Sequence, residues 1–127
     1  MDDPVVAFRW DGFEQGDPDA DEALYRLNQN GADAGYPPAA RDFVFLPIIV
    51  GAIAVVGLAK AIKSFVDDMK TGVVIDNRGD QVVITKDKTL GRGNVLFVNK
   101  DGSVRLENPD AEKLSDIVRA AIEGIKK

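Results

Sequence analysis

The sequence predicts an α+β domain: a mostly antiparallel sheet of two hairpins plus an N-terminal strand, packed against a long apolar helix and a C-terminal helix. Three observations carry this prediction. The second half holds two pairs of β-branched runs folded back across Asn, Gly and Asp. Helical stripes of apolar residues flank those hairpins on either side. Near the start, PVVAFRW alternates with period two.

In that first strand Val6, Phe8 and Trp10 share one face, Val5, Ala7 and Arg9 the other, and Asp11-Gly12 closes it. GDPDADEALYRLNQNG follows with the marks of a helix. Asp17 suits the cap, Pro18 the first helical position, and the acids behind them the positive end of the dipole. Asn30-Gly31 ends the run, and residues 32–42 read as a loop stiffened by Pro37-Pro38.

From Phe43 to Ala59 no residue is charged. A helix is expected from Pro47 to about Lys70, apolar all round up to Ala59 and amphipathic beyond it. Gly51, Ala54, Gly57 and Ala61 would form a smooth strip on that helix, where another backbone can come close. Ile49, Ile53 and Val56 would supply bulk on the opposite side. These seven residues are the candidate interaction site. Phe43–Ala59 also reaches the shortest length that spans a bilayer, about 17 residues. Leu46 precedes a proline, however, which disfavours helix there and leaves thirteen residues from Pro47.

GVVID and QVVIT flank Asn77-Arg78-Gly79-Asp80, and NVLFV and SVRLE flank Asn99-Lys100-Asp101-Gly102, giving the two hairpins. Asn108-Pro109-Asp110 opens the last helix, whose stripe is Leu114, Ile117, Val118, Ala121, Ile122 and Ile125.

A length of 127 residues suits a single domain spanning 1–127, divided into an acidic region 1–42 and a remainder 43–127. Residues 1–42 carry ten acids against Arg9, Arg26 and Arg41, which disfavours a nucleic-acid partner. Cysteine and histidine are absent, so no disulfide forms, zinc loses its usual ligands, and no cofactor is expected. The acidic start MDDPVVAFRWDG lacks the basic region of a signal peptide, pointing to the cytoplasm.

Three short motifs have ordinary explanations. Asp17–Glu22 begins like a calcium loop but has Glu22 where glycine is needed and Asn28 where a bidentate glutamate is needed. Arg78-Gly79-Asp80 spells an adhesion tripeptide inside a hairpin turn. Gly91-Arg92-Gly93-Asn94 could hold an anion, although it precedes a strand and not a helix N-terminus. Ser64, Ser103 and Ser115 have no histidine to activate them, so no catalytic residue is assigned.

Taken in order, the elements are a strand, an acidic helix ending LYRLNQNG, and an apolar helix continuing into LAKAIKSFVDD. A hairpin on a DG turn and a closing helix opening at NPDAEKLSDIVRAAI follow. This order resembles the effector-associated constant-component domains found beside trypsin-like proteases and other effectors in bacterial conflict systems. The hairpin GVVIDNRGDQVVIT is additional to that family's shorter layout. The resemblance implies a non-enzymatic adaptor and supplies no catalytic residues. The expected partners are a second copy of the chain, associating through the helix 47–70, and another protein. The alternative is a small membrane protein anchored by residues 43–59, with Lys60 and Lys63 placing the C-terminal hairpins in the cytoplasm.

Overall fold

The computed structural model describes residues 3–37 and 47–126. Along the chain these form β1 (Val5–Asp11), α1 (Pro18–Gln29), β2 (Asp33–Gly35), β3 (Ile49–Ala54) and α2 (Val55–Asp68). Next come β4 (Gly72–Asp76), β5 (Val82–Asp87), β6 (Val95–Asn99), β7 (Gly102–Leu106) and α3 (Ala111–Lys126). The strands make one seven-stranded sheet in the order β2-β3-β1-β5-β4-β6-β7, with β5 at its centre.

The α+β class and both expected hairpins, β4–β5 and β6–β7, are present. The sheet itself is mixed, since β1 pairs parallel to β5 and β4 parallel to β6. Those parallel seams join segments far apart in sequence, and no local pattern encodes them.

The main departure from expectation lies at residues 47–59. A single helix from Pro47 to Lys70 does not form: Ile49–Ala54 is a strand, and the helix begins only at Val55. Ile49, Val50 and Ile53 are β-branched and fit a pleated surface, and β3 is paired on both sides, by β1 and β2. Ile49 and Ile53 point into the core while Val50, Ala52 and Ala54 point away from it. Because both faces are apolar, the period-two alternation is invisible in the sequence. No helix among the described residues is long and apolar enough to cross a membrane. Phe43–Leu46, the start of the proposed anchor, lie outside the described residues. The segment 32–42, expected as a loop, contributes β2 at Asp33–Gly35; residues 38–42 also fall outside.

Inward residues from six strands build one face: Val6, Phe8 and Trp10 on β1, Ile49 and Ile53 on β3, Val73 and Ile75 on β4, Ile84 on β5, Val95 and Phe97 on β6, and half-buried Leu106 on β7. The three helices all join this cluster, through Ala20 and Leu27 of α1, Leu58 and Phe65 of α2, and Leu114 and Val118 of α3. Trp10 meets Phe65 edge-on with ring centroids 4.8 Å apart, locking β1 to α2. Two acids fix the helix starts. Asp17 accepts from the N–H of Asp19 at 3.0 Å, as a cap should. Asp3 accepts from the N–H of Val56 at 2.7 Å, so α2 is capped by a residue remote in sequence, which also binds Arg119 of α3 at 2.8 Å. Of the stripe expected on α3, Leu114 and Val118 are buried and Ile117 half-buried; the side chains of Ile122 and Ile125 lie outside the described residues.

Candidate interaction surface

The seven residues predicted on one helix, four in a smooth strip and three on the opposite side, are divided between two elements. Gly51 and Ala54 sit on β3 and point to opposite sides of the sheet, whereas Gly57 and Ala61 belong to α2. Gly57 is already filled by the chain itself: a Cβ there would collide with the backbone carbonyl of Asn30, at the end of α1. A Cβ on Gly51 would collide with the carbonyl of Asp33 on β2. These glycines admit neighbouring backbone from within the domain. Ile49 and Ile53 are core residues, and Val56, 39% exposed, is the only one of the three bulky candidates at the surface.

Other motifs resolve into internal contacts. Lys86 on β5 is buried between Asp17 and Asp19, with Nζ 2.9 and 2.8 Å from their carboxylates and 6.0 Å from the Phe13 ring centroid. Burial alone would lower the lysine pKa, but the hydrogen bonds and charges of Asp19 and Asp17 outweigh it and raise it. A lysine held cationic in this way is neither a base nor a nucleophile at neutral pH. The remaining acids of the calcium-like stretch are also engaged, Asp21 with the Tyr36 hydroxyl at 2.6 Å and Glu22 with Arg26 at 2.9 Å. Arg78 is bound bidentately by Asp76, at 3.0 and 2.8 Å. In the loop around Arg92, the N–H groups of Gly91, Gly93 and Asn94 each donate to a backbone carbonyl, so they do not converge on an anion. The hydroxyls of Ser64 and Ser115 donate to the carbonyls of Ala61 and Glu112 in their own helices.

What sequence reasoning missed is the other face of the sheet. Among the described residues the three α-helices all cover one side, and the opposite side is built from outward residues of the same strands. By register, one row across it runs Val50, Arg9, Val83, Asp76, Val98 and Ser103. The adjacent row runs Asp11, Thr85, Val74, Leu96 and Arg105. None of these side chains is fully buried. Val74, Val83, Leu96 and Val98, on three neighbouring strands, form an aliphatic patch at the centre.

Ionic groups border and interrupt that patch in self-contained sets, with Asp76 in register between Val83 and Val98. Arg9 Nε lies 3.2 Å from Asp11, whose other oxygen accepts from Thr85 Oγ1 at 2.8 Å. The hydrogen bonds from Arg78 hold the Asp76 carboxyl below its ordinary pKa, so it is charged at neutral pH. A shallow groove lined by Asp76, Arg78, Gly79, Asp80, Gln81 and Val83 opens at the hairpin end of this face. A signal for it existed in the sequence. Val73-Val74, Val82-Val83 and the run Val95–Val98 are apolar at successive positions, so both faces of those strands had to be apolar.

Comparison with family models, with curated proteins and with solved structures gives no match to this chain.

Proposed function

We propose that this chain is a non-enzymatic protein-interaction module that presents the helix-free face of its sheet to another protein surface. The observation that carries this reading is the cluster Val74, Val83, Leu96 and Val98 on a face that, among the described residues, no helix covers. Each of these side chains is only half-buried, so covering it releases part of the roughly 1.5–3 kcal/mol that full burial of an aliphatic side chain yields. The charged border supplies register and selectivity, as the rim of an interface does. The resemblance read from the sequence, to the effector-associated constant-component domains, suggests the same class of role, an adaptor in a bacterial conflict system, although the apolar helix counted in it is divided into β3 and α2. The interface assigned to a helix 47–70 is moved to the sheet, because Gly51 and Gly57 pack within the domain.

The test is chemical cross-linking of the full chain in its native cells, for the parent and for Leu96→Glu. Leu96→Glu is expected to abolish the cross-linked species while Trp10 emission and circular dichroism stay as in the parent. Cross-linking that is unchanged by a charge at the centre of the patch overturns the reading.

A further inference from the structure

We propose that the occupant of the open face is a second copy of the chain, related to the first by a two-fold axis running along β5. This rests on the interaction reading above and adds the identity of the partner.

The strand order supplies the symmetry. β5 has three strands on either side, so a half-turn about an in-plane axis along β5 lays β1 over β4 of the second copy, β3 over β6, and β2 over β7. Arg9 and Asp76 are both in register with Val83, one on each side of it. The half-turn therefore sets each Arg9 opposite the other copy's Asp76, and each Asp76 opposite the other copy's Arg9. It also sets Val83 on Val83, and Val50, in register with Arg9, on Val98, in register with Asp76. An isologous contact needs this kind of self-complementarity, in which a surface offers i to j and j to i.

Size is consistent with a second sheet and sets the strength. Seven strands about 4.8 Å apart and about five residues long give a footprint of roughly 30 by 17 Å. That is somewhat under the ~800 Å² per partner of a standard interface, so the dimer should dissociate on dilution. Two sheets packed face to face about 10 Å apart would form a β-sandwich with helices on both outer surfaces.

The charge pattern gives the decisive test. In the parent, sedimentation of the full chain should move from the 13.7 kDa chain mass towards twice that value as concentration rises. Arg9→Asp alone places like charges opposite each other twice, and so does Asp76→Arg alone; each should weaken self-association by about tenfold or more. An equimolar mixture of the two variants meets only opposite charges, so it should regain the dimer, as a heterodimer. Val83→Lys sets two ammonium groups together on the axis and should also give monomers.

A parent that stays monomeric through the high micromolar range overturns the second copy as occupant, as does a mixture no better associated than its components. Val83→Lys dimerising like the parent overturns it too. If the parent is monomeric yet its cross-linked species are lost in Leu96→Glu, only the identity of the partner falls. If Leu96→Glu changes no association, the interaction reading falls with it.

Discussion

The ammonium of Lys86 and the carboxylate of Asp17 stand 2.9 Å apart, with the lysine side chain only 4% exposed. Asp19 completes the set, so one buried cation ties the start of α1 to the central strand. Removing the cation leaves two carboxylates facing each other in a partly desolvated site. Lys86→Met should therefore cost about 3 kcal/mol, read from denaturant unfolding at neutral pH.

The same contact sets a pH window. Burial raises the pKa of Asp17, but hydrogen bonds from Lys86 and the Asp19 N–H hold it below its ordinary value. Its contribution to stability is then present above the unfolded carboxylate pKa of about 3.9 and disappears as pH falls through the lower, folded value. Lys86 is shifted upward, so its share is complete below about 10.4 and disappears as pH rises through the folded value. The difference in unfolding free energy between parent and Lys86→Met should be largest around neutral pH and narrow as pH falls into the carboxylate range or rises past that of lysine.

Gly57 gives a prediction of the opposite kind. Helix propensity favours replacing it, by about 1 kcal/mol for alanine. The carbonyl of Asn30 occupies the space where the side chain would go, and a displaced backbone is costly. Gly57→Leu should lower stability by about 1–3 kcal/mol. Thermal melts of the variant should shift down, and its sedimentation should follow the parent's at temperatures where it is folded.

At the start of α3, Asp110 accepts from the N–H of Lys113 at 2.8 Å, as a helix cap does. Asp110→Ala should destabilise by about 1 kcal/mol, while Asp110→Asn keeps an acceptor and most of that stability. Equilibrium unfolding of the two variants separates these outcomes.

Local chemistry was legible in the sequence and long-range pairing was not. Val6, Phe8 and Trp10 point inward as their alternation requires, and Asp17-Pro18 opens α1 as its capping chemistry requires. The turns at residues 77–80 and 100–101 lie between paired strands. Ile49–Ala54 misled because a strand with two apolar faces carries no periodic signature, and glycine and alanine at positions 51, 52 and 54 suit a packed helix equally well. The sheet face proposed as an interaction surface was not legible for a related reason. Its signal lay spread over Val74, Val83, Leu96 and Val98, one or two residues to a strand, and only the sheet brings them together.

The β1–β5 seam also bears on how the chain reaches its native state. The hydrogen bond from Thr85 to Asp11 spans 74 positions, and every contact across that seam closes a loop of comparable length. Both β4–β5 and β6–β7 can form from neighbouring residues, so they should gain protection from hydrogen exchange early in refolding. The N-terminal strands must then find one edge of a preformed ribbon, which is slow because loop entropy is spent before any contact repays it. On a ribosome, β1 and β3 emerge well before β5 and wait with a hydrogen-bonding edge of β1 unsatisfied. That interval, and not the finished domain, is when this chain is most exposed to aggregation.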